Sequence, residues 1–229
     1  MPVKNQIFKI ALVACALFAF SASFAQSKLI RNLAAGKHQT LVTYGTSLTQ
    51  AEGGRAWVDS VNKALNKQYN GLLTIINTAK GGRWSTWGVQ NLEDSVIKKA
   101  PDAVLIEFAM NDAFADYKTN VEVARLNLNY MIDRIKLYKP ECEVILQTMN
   151  IPLNEHGQTR PNILAYYQMY RDVAKARKLL LIDHYPHWKE LLDKGIDAYI
   201  KAVPDGIHPG VEASKQIIAP YVIKRLEDK

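Results

Sequence analysis

Five residues of this chain carry groups suited to acyl transfer. Ser47, Gly82 and Asn111 each come shortly after an apolar run, and Asp205 lies three residues before His208. A serine hydroxyl is a weak nucleophile until a base takes its proton, and an imidazole does this well near neutral pH. A carboxylate bonded to the other ring nitrogen fixes the imidazole tautomer. The residue types therefore predict Ser47 as nucleophile, His208 as general base and Asp205 as the group that orients the base.

The same segments can hold a negatively charged oxygen. A tetrahedral intermediate of acyl transfer needs donors aimed at its oxyanion, and removing one donor typically costs roughly 100- to 1,000-fold in rate. The candidate donors are the backbone N–H groups of Ser47 and Gly82 and the side-chain amide of Asn111. Gly82 follows Gly81, and a backbone without Cβ atoms can approach a ligand closely. The sequence therefore predicts an oxyanion hole built from three separate segments.

One sheet must bring these segments together. From residue 39 onward short apolar runs alternate with longer amphipathic segments, and several runs are apolar at consecutive positions, which is typical of a parallel sheet covered on both faces. The predicted strands are 40–44, 72–77, 103–109, 143–149 and 179–183, and the predicted helices are about 55–69, 86–99, 119–138, 161–178 and 211–227. Pro140 is expected to end the third of these helices and Pro161 to begin the fourth. Ligands of such folds bind at the carboxyl ends of the strands, which is where the candidate segments lie.

The N-terminus is predicted to be a secretory signal peptide. Lys4 and Lys9 precede an apolar run over 10–20, and small residues end the segment near Ala25. The run is shorter than the roughly 20 apolar residues that span a membrane. A lipobox ending at Cys15 is the alternative, which would give a lipoprotein. With cleavage after Ala25, residues 26–229 form one α/β domain, because the chain has no internal repeat or low-complexity linker.

Charge and cysteine content exclude two classes of protein. The formal net charge is +7, but the basic residues are scattered and are not interleaved with aromatic residues, so nucleic-acid binding is not expected. Removal of the signal peptide leaves Cys142 as the single cysteine, which excludes an internal disulfide and a thiolate metal cluster. Cys142 precedes an apolar strand and is expected to be buried and inert.

Four blocks of the sequence together resemble the SGNH/GDSL serine hydrolases. Residues 45–49, GTSLT, are similar to the Gly-Asp-Ser-Leu block of that family, and Asn77 followed by Gly82 is similar to its second block. Residues 109–112, AMND, resemble the Gly-x-Asn-Asp block, and residues 205–208, DGIH, match the Asp-x-x-His block. The blocks occur in the family's order and cover nearly the whole mature chain.

The resemblance implies a three-layer α/β/α sandwich with a central five-stranded parallel sheet of the flavodoxin-like type. It implies Ser47, Asp205 and His208 as the catalytic residues, and Ser47, Gly82 and Asn111 as the oxyanion hole, with no metal and no cofactor. Asp112 is expected to be a structural hydrogen-bonding partner. The sequence departs from the family blocks at three positions, which are Thr46, Ala79 and Ala109. The Ala109 methyl is expected to narrow the cleft near the bound acyl group.

The loop after Gly82 offers candidate substrate contacts. Trp84 and Trp87 are suited to sugar rings or acyl chains, although either could instead pack the following helix onto the sheet. Arg83 could meet an acidic group of a substrate, such as a uronate, or remain a solvated surface residue.

The remaining histidines are not expected to take part. His184 and His187 are three residues apart but lack further ligands at suitable spacing, so they are expected at the surface or an interface instead of at a metal. His38 and His156 belong to no motif and are expected at the surface.

The sequence therefore predicts a secreted or periplasmic serine esterase acting on a small-molecule or polysaccharide ester, and O-deacetylation of carbohydrate is the favoured activity. A lysophospholipase, thioesterase or arylesterase is the alternative within the same family. An ordinary α/β-hydrolase would have Gly-x-Ser-x-Gly, whereas Thr49 stands at the fifth position here. A carbohydrate-binding protein without catalysis would not need Ser47, Asn111, Asp205 and His208 together.

Overall fold

A parallel sheet organises the part of the chain that the computed structural model describes, residues 26–228. Its five strands are β1 (Gln39–Gly45), β2 (Leu73–Asn77), β3 (Ala103–Glu107), β4 (Glu143–Thr148) and β5 (Leu180–Asp183). They lie in the order β2-β1-β3-β4-β5, and every neighbouring pair is parallel. This is the flavodoxin-like doubly wound order. The predicted α/β fold is confirmed.

Helices connect successive strands. The α-helices are α1 (Lys28–Ala34), α2 (Ser47–Gln50), α3 (Glu52–Gln68), α4 (Ser85–Ser95), α5 (Ala109–Asp112), α6 (Val121–Tyr138), α7 (Asn154–Gln158), α8 (Ile163–Arg177), α9 (Tyr185–Asp193), α10 (Ile196–Ala202), α11 (Val211–Ala213) and α12 (Ala219–Glu227). Single 3₁₀ turns cover Ile97–Lys99 and Ala115–Tyr117, and a π-helical turn over Ser214–Ile218 joins α11 to α12. The five predicted helices are therefore present.

Several predicted boundaries differ from the structure, and two of the differences concern residues named above. Residues 108 and 109 were expected to continue the third strand, but β3 ends at Glu107 and α5 begins at Ala109. The chain therefore changes from strand to helix while its residues are still buried in the core. Pro161 was expected to begin the fourth of the predicted helices, but α8 begins at Ile163 with Asn162 at its N-cap. Pro161 thus lies in the preceding turn.

The core surrounds the central strand. All five residues of β3 are buried, as a strand with helices on both faces requires. Trp57 of α3 and Trp188 of α9 are among the largest fully buried side chains, and burying a large apolar side chain contributes about 1.5–3 kcal/mol. Cys142 is buried and unpaired, and burial raises the pKa of its thiol to about 12. The expectation of a buried thiol is therefore confirmed, and the raised pKa favours the unreactive protonated form.

No helix within residues 26–228 is long and apolar enough to cross a bilayer. The predicted signal peptide, residues 1–25, and the alternative lipobox at Cys15 lie outside the described residues.

Candidate active site

Ser47, His208 and Asp205 form a continuous hydrogen-bonded relay. The Ser47 Oγ atom lies 2.8 Å from Nε2 of His208, and Nδ1 of His208 lies 2.6 Å from Oδ2 of Asp205. Ser47 begins α2 directly after β1, whereas the other two residues lie in the loop between α10 and α11. This arrangement lets the imidazole accept the serine proton while Nδ1–H donates to the carboxylate.

The loop of His208 is fixed from several sides. Oδ1 of Asp205 accepts the backbone N–H groups of Ile207 at 3.0 Å and His208 at 2.7 Å. Gly206 has a φ of +84°, which a glycine adopts without strain, and its carbonyl accepts the N–H of Leu153 at 2.8 Å. Partial burial favours the neutral form of the Asp205 carboxyl, but these N–H donors and the imidazole outweigh it and hold the pKa of Asp205 below its ordinary value.

The turn that carries Ser47 is capped by its neighbour. Thr46 is the N-cap of α2, and its Oγ1 accepts the N–H of Leu48 at 3.1 Å. Ser47 is the first helical residue, so its N–H has no acceptor inside the helix and remains available to a ligand. The indole N–H of Trp57 in α3 donates to the carbonyl of Leu48 at 3.0 Å and thereby anchors α2 to α3. Thr46, which departs from the family block, thus caps the helix that begins with the nucleophile.

A buried carboxyl group lies behind this turn. Oε2 of Glu107, the last residue of β3, accepts the backbone N–H of Thr46 at 3.1 Å and the hydroxyl groups of Thr46 at 2.9 Å and Thr49 at 3.3 Å. Burial raises the pKa of Glu107 to about 8, the nearby Asp112 carboxyl also raises it, and the three donors offset only part of this rise. Sequence reasoning missed Glu107 because it ends an otherwise apolar run.

The raised pKa of Glu107 predicts a pH-dependent stability. Between about pH 4.5 and about pH 8 the unfolded chain releases a proton that the folded protein keeps. The free energy of unfolding therefore falls as pH rises through this window, by up to about 1.4 kcal/mol per pH unit. Glu107→Gln should remove this contribution, so the wild type should lose stability relative to the variant from pH 5 to pH 8. Urea unfolding at several pH values measures the difference.

The unpaired amide nitrogen in Glu107→Gln destabilises the variant equally at every pH, so the slope of the difference is the informative quantity. Glu141→Gln, on the exposed turn before β4, controls for the loss of one carboxylate. If the free energies of unfolding of the wild type and Glu107→Gln changed equally with pH, the prediction would be contradicted.

The glycine loop after β2 packs against the nucleophile turn. The N–H of Lys80 donates to the carbonyl of Gly45 at 2.9 Å, and the side chain of Asn77 donates to the carbonyl of Thr49 at 2.8 Å. A Cβ atom on Gly81 would lie 3.6 Å from Cβ of Ser47, so this backbone reaches the nucleophile. Gly82 has a φ of +66°. Within residues 26–228 its N–H donates to no acceptor and is available as an oxyanion donor.

The loop after β3 supports the glycine loop. The Asn111 side chain is nearly buried and donates one amide hydrogen to the carbonyl of Arg83 at 2.9 Å, which leaves its second amide hydrogen for a ligand. Oδ1 of Asp112 accepts the N–H of Ser85 at 2.8 Å, so Asp112 has the expected structural role, and burial raises its pKa to about 7. The Ala109 methyl is buried in the core, so the expectation that it narrows the cleft is wrong.

The first turn of α3 is pressed against the His208 loop. A Cβ atom on Gly53 would lie 2.0 Å from the carbonyl oxygen of Pro209.

We expect Gly53→Ala to push the His208 loop away from Ser47 and to lower kcat by about 100-fold, since a displacement of 1 Å can cost that much. Steady-state kinetics and a melting curve measure the effect. Gly71→Ala, where a Cβ has open space although φ is +76°, controls for the added methyl group. Equal kcat in Gly53→Ala and the wild type would exclude this steric role.

The candidate substrate residues have different surroundings. Trp87 packs on the core, with its ring 5.8 Å from that of Tyr44, which supports the packing alternative for this residue. Trp84 is half-buried and stacks on Tyr117, with ring centroids 4.3 Å apart. The guanidinium of Arg83 is exposed and has no ion-pair or hydrogen-bond partner among residues 26–228. Trp84 and Arg83 thus remain candidates for substrate contact.

The histidine expectations are correct only in part. His38 and His187 are exposed and His156 is half-buried, but His184 is fully buried, so its placement at the surface is wrong. The ring of His184 packs edge-on against Tyr221 at 5.0 Å, and burial lowers its pKa to about 3, so it stays neutral. In the part of the chain described, no group of three or more His, Cys, Asp or Glu side chains is arranged to hold a metal ion.

Comparison with known sequences places these blocks in a family. The sequence model of the GDSL-like lipase/acylhydrolase family matches residues 43–215, a range that contains every candidate catalytic and oxyanion residue. A protein of Vibrio mimicus named arylesterase is 25% identical over 194 residues, which cover 82% of this chain and 90% of that protein.

Solved structures share the fold. A point mutant of Axe2, an acetyl-xylooligosaccharide esterase from Geobacillus, has a TM-score of 0.72 at 21% identity, covering 83% of this chain and 95% of that one. A structure described as a GDSL-like lipase from Parabacteroides merdae has a TM-score of 0.74 at 16% identity. The match covers 83% of this chain and 96% of that one. Because the family match spans both the strands and the loops of the candidate site, this chain belongs to the GDSL-like lipase/acylhydrolase family and is a carboxylic ester hydrolase.

Proposed function

We propose that this protein removes acetyl groups from carbohydrate esters through Ser47, His208 and Asp205. The observation that carries the proposal is the relay, in which Ser47 Oγ is 2.8 Å from Nε2 of His208 and Nδ1 of His208 is 2.6 Å from Asp205. Ser47 comes from the first block of the sequence and Asp205 and His208 from the last, and each side chain faces the group that its role requires.

In the proposed mechanism the acyl group moves through a covalent intermediate. Ser47 Oγ attacks the ester carbonyl carbon while its proton passes to Nε2 of His208, and the carboxylate of Asp205 stabilises the imidazolium. The N–H groups of Ser47 and Gly82 and the free amide hydrogen of Asn111 hold the oxyanion. His208 then protonates the leaving alcohol. Water, deprotonated by the same imidazole, releases the acid and restores Ser47.

Three features support a short acyl group on carbohydrate. Ser47 and His208 are half-buried and Asp205 is exposed, so the site opens to solvent and a polymer could reach it. The half-buried ring of Trp84 lies in the loop that begins at Gly82, and an aromatic face suits a sugar ring. The names of the structural relatives from Geobacillus, which are acetylxylan esterases, point the same way.

We further propose that the enzyme is exported, with a mature N-terminus near Gln26. Intact mass of the purified protein tests this. A mass that begins near Gln26 supports cleavage of a signal peptide, whereas retained Cys15 with added acyl mass identifies a lipoprotein.

Acid release from a panel of esters tests the activity. We expect wild-type protein to release acetate from acetylated xylan and to prefer p-nitrophenyl acetate to long-chain esters. A preference for long chains would assign a lipase or lysophospholipase activity, and cleavage of aryl esters alone would assign an arylesterase. Labelling with a fluorophosphonate and peptide mass analysis should place the adduct on Ser47. An adduct elsewhere, or no hydrolysis of any ester, would contradict the proposed mechanism.

A further inference from the structure

The glycine loop is held by three hydrogen bonds from the segment that follows β3. Asp112 accepts the N–H of Ser85 at 2.8 Å, Asn111 donates to the carbonyl of Arg83 at 2.9 Å, and Tyr117 donates through its hydroxyl to the carbonyl of Gly82 at 2.9 Å. The first two side chains belong to the Asn-Asp block of the sequence. Tyr117 lies outside every block and is the residue that bonds to Gly82 itself.

Gly82 needs such a contact because little else fixes its backbone. It is exposed and its φ is +66°, and among residues 26–228 a Cβ atom added there would meet only the Tyr117 hydroxyl, at 3.8 Å. It also follows Gly81, and two consecutive glycines have access to many backbone conformations. A hydrogen bond to the carbonyl of Gly82 restrains the peptide plane between Gly82 and Arg83, and it therefore limits the backbone rotations that would turn the Gly82 N–H away.

The Tyr117 ring is itself held in place. It stacks on Trp84 with ring centroids 4.3 Å apart at an angle of 19°, and Phe114 contacts it edge-on at 5.0 Å. The guanidinium of Arg160 lies 4.8 Å over the face of Phe114 and is bonded to the carbonyl of Met110. The hydroxyl is thus pre-positioned by packing, and its orientation does not depend on the hydrogen bond to Gly82 alone.

We propose that Tyr117 is a positioning residue that aligns the Gly82 N–H with the oxyanion of the reaction. The inference rests on the proposed function, in which Gly82 is an oxyanion donor. Tyr117 acts through Gly82, and within residues 26–228 it forms no hydrogen bond to Ser47 or His208. Its effect is specific to the transition state, because negative charge develops on the carbonyl oxygen there and is absent from the ground-state ester.

Tyr117→Phe tests the proposal, since it removes the hydroxyl and keeps the ring that stacks on Trp84. We expect kcat on p-nitrophenyl acetate to fall about threefold to tenfold, because one solvent-exposed hydrogen bond contributes about that factor. KM should be unchanged. The rate of fluorophosphonate labelling should fall by the same factor. The melting temperature should stay close to that of the wild type. Tyr130→Phe, on the exposed face of α6, is the matched control and should leave all four quantities unchanged.

The possible outcomes distinguish a failure of the positioning role of Tyr117 from a failure of the proposed esterase activity. A wild-type level of kcat in Tyr117→Phe, with the wild type active, would overturn the positioning role and leave the esterase assignment intact. A rise in KM at constant kcat would overturn it as well, because Tyr117 would then contact the substrate in its ground state. An inactive wild type would instead contradict the proposed function.

Discussion

Ser47→Ala is expected to lower kcat by about 10⁴- to 10⁶-fold while the protein stays folded. The variant lacks the nucleophile, so no acyl-enzyme can form, and only the oxyanion donors and substrate binding remain. The lost hydrogen bond to His208 is half-buried, and the smaller side chain fits the same turn. Acetate release measures the activity, and circular dichroism measures the fold.

Ser60→Ala provides a matched control for this variant. Ser60 lies on α3, and its hydroxyl donates to the carbonyl of Ala56, one helical turn earlier. We expect wild-type kcat in this control. Activity in Ser47→Ala within tenfold of the wild type would show that another group attacks the ester, and would remove the basis for the covalent mechanism.

Asp205→Asn is expected to lower kcat by about 10³- to 10⁴-fold. The asparagine carbonyl can keep the N–H bonds of Ile207 and His208 that Oδ1 now accepts, which turns the amide nitrogen toward Nδ1 of His208. The imidazole must then carry its proton on Nε2, where it cannot accept the proton of Ser47. Rates of p-nitrophenyl acetate hydrolysis across pH measure the loss.

Asp205→Ala separates the tautomer effect from the loss of charge. It removes the carboxylate without supplying an amide donor, so the imidazole is free to choose either tautomer. We therefore expect Asp205→Ala to keep more activity than Asp205→Asn, provided that the loop still folds. If Asp205→Asn kept more than a tenth of wild-type kcat, the orienting role of the carboxylate would be disproved.

The layout of the candidate site could be predicted because of one topological rule. In a parallel sheet the carboxyl ends of the strands share an edge, so polar residues after separate strands become neighbours. Ser47 follows β1 and the glycine loop follows β2, and their strands pair directly in the sheet. Asn111 follows β3, which pairs with β1 on its other side. The alternation of strands and helices in the sequence was therefore sufficient to predict that these three segments lie at one edge of the sheet.

The supporting residues could not be predicted because no local pattern marks them. Glu107 ends a strand that is otherwise apolar, and only the tertiary structure places its carboxyl behind Thr46. Tyr117 bonds to a carbonyl 35 residues away. His184 was misplaced because a neutral imidazole can be buried like an aromatic ring, and residue type alone does not reveal its protonation state.

The large sequence separation within the relay has a consequence for synthesis. Ser47 and His208 are 161 residues apart, and the base lies in the loop just before the C-terminal helices. A chain that is still being synthesised already contains the nucleophile, but it has no base until residue 208 has emerged and its loop has docked against Leu153. The order of residues along the chain thus leaves the serine without its base until residue 208 has been made and its loop has packed.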